Sequence, residues 1–353
     1  VKEQMLPAGS LTFVGEKRLT VPVDEGAEAI MRELARAGEI KDIQGEEGTN
    51  IGEMLSRIRR GMEEVSQERD PVRITDILAV DTLSPVPISG ALAGETCLEK
   101  AVGIAAMVRT HALPMRELAG ALSKELSVET KVGGVEAVMA SLGAFTTPGT
   151  TLPLAILDMG GGSTDAAILY EDGRVVHTHQ AGAGELVTML IQLELGLGSR
   201  YTAEQIKKYP LGKVESLFHL RLETGQVQFF EEPLDPRYYG HVVLLPPSGE
   251  LLKIDEDLPL EKILSVRREA KKKVFVVNAT RALTAVAPGG DIKKIPNVVL
   301  VGGSAEDFEI PEMLMEAFSQ QKIVCGRGNI RGKNGPRGAV AAGLLMSYVG
   351  EKP

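Results

Sequence analysis

The residues with the clearest chemical potential lie in the stretch LDMGGGSTDAAIL, residues 157–169. Its acidic, flexible and hydroxyl-bearing positions are Asp158, Gly160, Gly161, Gly162, Ser163 and Thr164. Glycine accepts positive φ and lets a ligand oxygen come close to backbone N–H groups, which suits a phosphate-binding turn. A carboxylate at the end of the preceding strand can hold a hydrated Mg²⁺. The pattern therefore indicates a phosphate site, and an ordinary hairpin turn is the alternative.

The residues after the glycines indicate which kind of phosphate turn this is. STDAAILY is small, β-branched and apolar, and EDGR follows it as an Asp-Gly turn, so a second strand is favoured over a helix. A dinucleotide-binding fold needs a helix at this point, and a Walker A loop needs a closing Gly-Lys-Ser/Thr. The sequence therefore predicts a β-hairpin whose glycine tip contacts phosphate.

A second glycine turn follows much later in the chain. VVLVGGSAEDF ends an apolar strand with Gly302, Gly303 and Ser304. Such a turn can approach the α-phosphate or the ribose of a nucleotide, although a plain strand-to-helix turn has the same composition. The two glycine turns together are a stronger indication of a nucleotide site than either one alone.

The elements that must position these residues read as a mixture of strands and helices. LAILDM, STDAAILY, VVHTHQ and NVVLV are predicted strands, and GAGELVTMLIQLELG, LEKILSVRREAKKKVFVVNATRAL and IPEMLMEAFSQ are predicted helices. Residues 94–145 read as helical, and residues 222–260 as an irregular peripheral insertion or hairpin. This alternation indicates an α/β protein.

Composition excludes several classes of function. The chain has 353 residues, 43% of them hydrophobic and 25% charged, as is usual for a globular protein of about two domains. Its net charge of −9 argues against nucleic acid or an anionic membrane as the main partner. The two distant cysteines, Cys97 and Cys325, suit a reducing cytoplasm and offer no metal-binding spacing.

The motifs resemble those of the ATPase domains of the actin, heat-shock chaperone and sugar-kinase superfamily. LDMGGGSTD is similar to its second phosphate motif, and VLVGGSA to its adenosine motif. GGVEAVMASLGA, residues 133–144, and GPRGAVAAGLL, residues 335–345, resemble its two connecting helices, whose small residues allow a close crossing. The resemblance implies an actin-like (ribonuclease H-like) ATPase fold, with a mixed sheet flanked by helices and two subdomains.

A narrower resemblance runs along essentially the whole chain. PGTTLPLAILDMGGGSTDAAI, KKYPLGKVESLFHLR and the region from VLVGGSAEDFEIPEM to GPRGAVAAGLL look like the large subunit of diol and glycerol dehydratase reactivating factors. This family implies a chaperone-like ATPase that releases damaged cobalamin from an adenosylcobalamin-dependent dehydratase. The implied cofactors are ATP or ADP and Mg²⁺, and the implied partners are a small subunit and the dehydratase.

The sequence departs from this family at its N-terminal end. The first phosphate hairpin of the superfamily is not found in these residues, and the chain begins with Val1. We therefore expect the C-terminal part of the large subunit, with ATP hydrolysis implied for the full-length subunit. Residues 1–145 would hold part of the first subdomain, a helical segment and the first connecting helix. Residues 146–353 would form the second subdomain.

The resemblance also carries roles to particular residues. Asp158 would orient a Mg²⁺-bound water, and residues 160–163 would hold β- and γ-phosphate oxygens. Asp165 stands where the superfamily has a second acid near that water, unless it is a strand-edge residue facing solvent. Gly184 and Glu185 match a helix start beside the nucleotide, although Glu185 is also a favourable charge in any first helical turn.

The adenine side of the site is carried over from one basic stretch. RREAKKKV is similar to the helix whose acidic and basic residues flank adenine and ribose, and the best-matching positions are Glu269, Lys272 and Lys273. A solvated helix face would show the same run of charges. Both interpretations stay open at the level of sequence.

Two other classes of function compete with the reactivating ATPase. A small-molecule kinase of the same superfamily would need a catalytic base aimed at a substrate hydroxyl, and the sequence offers no clear candidate. A nucleotide-independent interaction scaffold would fit the missing first phosphate hairpin. The resemblance favours the reactivating factor, located in the cytoplasm, with association with a bacterial microcompartment as a further option.

Overall fold

The computed structural model describes residues 6–66, 72–87, 96–109, 113–295 and 297–350. The strands in these residues are β1 (Ser10–Val14), β2 (Arg18–Pro22), β3 (Asp42–Gly45), β4 (Arg73–Pro87), β5 (Thr96–Arg109), β6 (Leu154–Met159), β7 (Ser163–Leu169), β8 (Val175–Ala181), β9 (Leu211–Ser216), β10 (His219–Leu222), β11 (Val227–Phe229), β12 (Val242–Leu244), β13 (Leu252–Lys253), β14 (Asn297–Val301) and β15 (Val324–Arg327). The helices are α1 (Ala27–Arg36), α2 (Asn50–Ser66), α3 (Leu113–Leu126), α4 (Glu136–Ala144), α5 (Gly184–Leu195), α6 (Arg200–Lys208), α7 (Leu260–Lys271), α8 (Val277–Val286), α9 (Ile310–Ser319) and α10 (Ala339–Gly350). Within the ranges described, no helix combines the length and the apolar character needed to cross a membrane.

The central sheet has the strand order β15-β14-β6-β7-β8. β6, β7 and β8 form an antiparallel meander, and β14 and β15 run parallel to β6. Every residue of β6 is buried, as expected of a strand covered on both faces of its sheet. This mixed sheet with flanking helices confirms the predicted actin-like α/β fold class.

Different helices cover the two faces of the central sheet. One face packs against α8. Its core includes Leu157 of β6 and extends to Leu190 of α5 and Ile263 of α7. The other face packs against α4, with Ile156 and Ala140 in its core. Because neighbouring residues of a strand point to opposite faces, Ile156 and Asp158 both lie on the side of α4.

The two predicted connecting helices, α4 and α10, cross almost backbone to backbone. A Cβ atom on Gly143 would overlap the carbonyl of Ala339, and one on Gly343 would overlap the carbonyl of Met139. The small residues of both helices thus permit the close crossing that the sequence predicts.

The long basic helix is also confirmed, with one local change. α7 and α8 are joined by Lys272–Val276, which wind as a π-helical segment, so the helix continues without a break. Such segments within α-helices are uncommon and cannot be recognised from hydrophobic periodicity.

The N-terminal part of the chain builds its own small core. β1, β2 and β3 form an antiparallel sheet of order β2-β1-β3, and α1 and α2 pack against it around Phe13, Ile30 and Leu55. β4 extends from this core to the central one, since Ile77 belongs to the first and Leu78 to the second. The β4–β5 hairpin therefore joins the two parts of the chain.

The predicted helical character of residues 94–145 is wrong for β5. Thr96–Arg109 pair with β4 along their whole length, from Thr96 opposite Pro87 to Arg109 opposite Arg73. The stretch is rich in Ala, Leu, Glu, Lys and Met, which favour helix locally. The ladder with β4 outweighs this preference, because strand formation depends mainly on pairing and packing.

The segment predicted as irregular contains short strands. β9 to β13 form an antiparallel sheet of order β11-β10-β9-β12-β13, packed around Val214, Leu220 and Tyr238. β11 and β12 have three residues each and β13 has two. Strands this short, separated by prolines, give no measurable alternation in the sequence.

Candidate functional site

The glycine hairpin forms as the sequence predicts. β6 and β7 pair in register up to the turn, which closes through a hydrogen bond from the Gly160 N–H to the Ser163 carbonyl at 3.1 Å. Gly161 and Gly162, between these two residues, are exposed. The backbone of the tip is therefore open to solvent at the end of two buried strands.

The three tip glycines are not explained by backbone conformation or by packing. None of them has a positive φ, so the expected left-handed backbone is absent. A Cβ atom on Gly162 would have no atom within 4 Å, and one on Gly161 only Glu185 Cγ at 3.8 Å. Among the described residues, the N–H groups of Gly161 and Gly162 meet no acceptor. The missing side chains thus leave space in front of unpaired donors, which is the arrangement that binds an anion.

The first turn of α5 holds the tip in place. The Gly184 N–H donates to the Gly160 carbonyl at 3.3 Å, and the Glu185 N–H donates to the Gly161 carbonyl at 2.8 Å. The sequence predicted that such free N–H groups of a helix start would face phosphate, but they fix the tip instead. The Glu185 side chain is exposed and pairs with Arg200 of α6.

The second glycine turn packs directly against the hairpin. Gly302 has a φ of +88°, and a Cβ atom there would lie 2.6 Å from the Met159 carbonyl oxygen and overlap the Asp158 side chain. The Ser304 hydroxyl donates to the Gly160 carbonyl at 3.1 Å. Gly303 is exposed, with no atom within 4 Å of a Cβ placed there. The structure thus brings the two glycine turns and the start of α5 into one site.

Asp158 and Asp165 lie directly opposite each other on β6 and β7, so their side chains share one face of the sheet. Both are buried, with relative exposures of 6% and 2%, which excludes the solvent-facing alternative for Asp165. Burial raises the pKa of Asp158 to about 7, and the neighbouring carboxylates of Glu136 and Asp165 add to the effect. A cation beside Asp158 would relieve this repulsion.

A histidine that the sequence did not connect to the site lies on the next strand. His179 of β8 is opposite Asp165, and its Nδ1 is 3.1 Å from Asp165 Oδ2. The hydrogen bond to Asp165 raises the pKa of His179 above its ordinary value, although partial burial opposes this. The sequence showed only that His177 and His179 share a strand face, without the partner on β7.

Thr164 has a different role from the predicted one. Its side chain is fully buried, and its hydroxyl donates to the Gly182 carbonyl at 3.0 Å. The Ser163 hydroxyl, in contrast, has no hydrogen-bond partner among the described residues and lies at the half-buried edge of the tip. Of the predicted hydroxyl donors, Ser163 is therefore the one available to a ligand.

Lys207 of α6 was missed by the sequence reasoning. Its Nζ lies 2.9 Å from the Gly184 carbonyl oxygen and 2.8 Å from Thr188 Oγ1, and it forms an ion pair with Glu204 at 2.6 Å. Burial alone would raise the pKa of Glu204, but its hydrogen bonds, those to Lys207 and Lys208 foremost, hold it at about 2. A lysine that fixes the start of α5 thus stands beside the tip.

The three predicted adenine-side residues do not lie together. Glu269 and Lys272 line a cavity of about 470 Å³ between the long helix and α9. Lys273 points elsewhere: its Nζ is 3.0 Å from the Asp81 carbonyl oxygen and 3.3 Å from Glu194. Lys273 therefore belongs to a separate cavity of about 610 Å³ beside the β4–β5 hairpin.

Another face of the long helix meets the segment after the second glycine turn. Arg267 and Lys271 are fully buried. Arg267 pairs with Glu223 at 3.0 Å and with Glu309 at 2.8 Å, and Lys271 pairs with Glu309 and Asp307 at 2.8 Å. Although burial raises it, these positive charges hold the pKa of Glu309 below its ordinary value. This network fixes the loop that follows Ser304.

The acidic residues of the site could hold a metal ion only together with water and phosphate ligands. Among the described residues, no three carboxylate, histidine or cysteine side chains lie close enough to hold a metal ion by themselves. Mg²⁺ is often held by one or two carboxylates together with waters and substrate phosphates. Asp158 beside an open phosphate-binding tip suits that arrangement.

Comparison with known proteins places the chain in a family. Residues 21–348 match the family model described as diol dehydratase reactivase ATPase-like domain. The chain is 52% identical over 350 residues to the propanediol dehydratase-reactivating factor large subunit of Salmonella typhimurium strain LT2. It is 51% identical over 350 residues to the diol dehydratase-reactivating factor large subunit of Klebsiella michiganensis. Each alignment covers 99% of this chain and 57% of the relative.

Solved structures of dehydratase reactivases also resemble this chain closely. A glycerol dehydratase reactivase superposes with a TM-score of 0.89 at 52% identity. A diol dehydratase-reactivating factor in nucleotide-free form superposes with a TM-score of 0.89 at 51% identity. Both alignments cover 98% of this chain and 57% of the other chain.

Proposed function

Because the chain belongs to the family of diol dehydratase reactivase ATPase-like domains, we propose that it binds ATP and ADP together with Mg²⁺. The observation that carries this proposal is the glycine tip, where, among the described residues, the N–H groups of Gly161 and Gly162 have no acceptor and no atom lies closer than 3.8 Å to a Cβ on either residue. Neither backbone strain nor packing requires glycine there. A phosphate chain supplies the missing acceptor.

The surrounding residues have distinct tasks in this proposal. Gly161, Gly162 and Ser163 donate to phosphate oxygens, and Gly303 leaves room for the nucleoside side of the ligand. Asp158 accepts from the hydration shell of Mg²⁺, and Asp165 lies next to it on the same face. When bound, Mg²⁺ would neutralise the charge that develops on the phosphates.

Two further assignments are part of the proposal. Glu269 and Lys272 line a cavity of about 470 Å³, and they would contact one face of the adenine ring there. Lys273 has another role, because it joins the β4–β5 hairpin to α5. Residues 1–145 would contribute to the first subdomain and residues 146–353 would form the second. ATP and ADP would then favour different angles between them, pivoting at the crossing of α4 and α10, as a nucleotide-driven population shift requires.

The names of the relatives support a proposal for the biological task. The chain spans 57% of the length of those large subunits, and we propose that it acts within a protein of that kind. There it would work with a small subunit to release damaged cobalamin from an adenosylcobalamin-dependent diol or glycerol dehydratase. Both cysteines are unpaired and one is buried, which suits the reducing cytoplasm.

A substitution at the tip tests the nucleotide proposal. Gly162→Val adds a side chain where the protein has free space and a permitted φ, so the fold should tolerate it. The added methyl groups would occupy the position of a phosphate oxygen. We expect isothermal titration with Mg-ADP to give heat for the wild-type chain and at least a tenfold weaker affinity for the variant, a difference of about 1.4 kcal/mol.

Gly198→Val is the matched control, because Gly198 also has no atom within 4 Å of a Cβ and no positive φ. Its affinity for Mg-ADP should equal that of the wild type. Equal affinities for all three proteins would contradict a phosphate site at the tip, and no heat for the wild type would favour a nucleotide-independent scaffold.

A further inference from the structure

Three ionisable side chains form a row across the central sheet. Asp158 is opposite Asp165 on neighbouring strands, and Asp165 is opposite His179. Directly opposed residues of antiparallel strands share one face of the sheet, and this is the face that packs against α4. Asp158, Asp165 and His179 therefore stand side by side at the strand ends that carry the glycine tip.

The two oxygens of the Asp165 carboxylate have different surroundings. Oδ2 is held by His179 Nδ1 at 3.1 Å, whereas Oδ1 is buried without a hydrogen-bond partner. A buried carboxylate oxygen without a partner is costly, since it has lost its hydration and gained no donor. One oxygen is thus fixed by the protein, and the other is left to accept a hydrogen bond from a ligand or water.

Two acidic side chains and one histidine lie near His179. Asp165 faces it from β7, Glu136 faces it from the first turn of α4, and His177 is its neighbour on β8. The hydrogen bond to Asp165 and the charges of both acids raise the pKa of His179, although burial opposes this.

We propose that His179 is a positioning residue, which locks Oδ2 of Asp165 and thereby keeps Oδ1 available to the hydration shell of a Mg-nucleotide beside Asp158. The inference rests on the proposed function and deepens it, because it adds a residue of β8 to the nucleotide site. His179 itself does not touch the ligand. Its side chain is 38% exposed, so exchanging it should leave the core unchanged.

Two conservative variants separate positioning from a general structural role. In His179→Asn the amide nitrogen stands near the place of Nδ1 and can still donate to Asp165, whereas in His179→Gln it stands near the place of Nε2. Residues that orient a ligating group change metal affinity or activity by roughly 10–100-fold. We expect about a tenfold loss or more of Mg-ADP affinity in His179→Gln, and most of the affinity to be kept in His179→Asn.

The dependence of ADP affinity on Mg²⁺ distinguishes positioning from a structural role, because a purely structural defect would weaken binding with and without Mg²⁺. Titration with ADP in EDTA should give the same affinity for the wild type, His179→Gln and His179→Asn, because the phosphate donors of the tip are intact. Equal losses with and without Mg²⁺, or no loss in His179→Gln, would overturn the role of His179 alone. No binding by the wild type would overturn the proposed function, and the positioning role with it.

The pairing is also measurable without nucleotide. In NMR titration of the ring protons, His179 should have a higher pKa in the wild type than in Asp165→Asn, which keeps the shape of the side chain. An unchanged pKa of His179 in that variant would overturn the inference even if nucleotide binds.

Discussion

At the scale of single residues, Asp158 combines two opposing requirements. It is buried between the sheet and α4, and it has acidic neighbours on both sides. In the absence of a cation, these surroundings favour the protonated form, so its pKa lies at about 7. A residue shaped for cation binding is thus a source of instability when no cation is present.

This conflict predicts an unusual dependence of stability on pH in metal-free protein. Asp158 titrates near 4 in the unfolded chain and near 7 in the folded one, so its stabilising contribution is present below the unfolded pKa. It is lost as pH rises through the folded value. Asp158→Asn removes the titration, and at pH 8 it should raise the free energy of unfolding by about 2–4 kcal/mol.

Urea denaturation in EDTA at pH 5 and pH 8 measures this difference. Asp257→Asn is the control, because Asp257 is exposed and no shift of stability is expected from it. If the wild type and Asp158→Asn lost the same free energy of unfolding between pH 5 and pH 8, the raised pKa of Asp158 would be contradicted.

The site residues differ in how far the sequence could reveal them. Asp158 and the glycines were recognised because the run of glycines is local and its neighbours are strand-like. His179 lies 14 positions after Asp165, and Lys207 lies 23 positions after Gly184, so only the fold brings these pairs together. Thr164 was misjudged for the same reason, since its acceptor, the Gly182 carbonyl, lies 18 positions later, directly after β8.

At the scale of elements, glycines allow α4 and α10 to cross at very short distance. Among the described residues, no other glycine lets two helices approach as closely. Gly143 and Gly343 each lie against a carbonyl of the other helix. No rotamer can relieve such a contact, because the obstacle is backbone. The separation of these helices is therefore set by two residues.

Gly343→Ala should destabilise the protein although alanine favours helix. Its Cβ would overlap the Met139 carbonyl, and overpacking of this kind costs about 1–3 kcal/mol. Gly120→Ala on α3 is the control, since nothing lies within 4 Å of a Cβ there, and it should raise stability by up to about 1 kcal/mol. Chemical denaturation that shows the same sign for both variants would contradict the close crossing.

Helices and strands were predictable where the local sequence alone determines them. β6, β7, β8 and α5 follow from their periodicity and turn residues, and so does the long helix up to its π-helical segment. β5 failed because its composition favours helix while β4 pairs with all of it. The strands β11, β12 and β13 were missed because strands of two or three residues carry no period.

At the scale of the whole molecule, polar contacts connect the N-terminal part of the chain to the glycine tip. Asp76 of β4 accepts from the Ala181 N–H and from Arg281 of α8, both at 2.8 Å. Asn278, which accepts from Arg281, donates to the Gly182 carbonyl at 2.7 Å. The Gly182 N–H in turn donates to the Gly162 carbonyl at 2.9 Å.

These contacts predict that Asp76 and Arg281 contribute to stability as a unit. Each of Asp76→Asn and Arg281→Met leaves the other charge partly buried and unpaired, which costs more than loss of the pair. In a double-mutant cycle measured by urea denaturation, the double variant should therefore be more stable than the sum of the single effects implies, by about 1–3 kcal/mol. Additive effects would mean that the Asp76–Arg281 pair does not contribute to stability as a unit. A coupling of the expected size would show that the Asp76–Arg281 pair helps to hold β4 against α8, where the same carboxylate also accepts from the Ala181 N–H of β8.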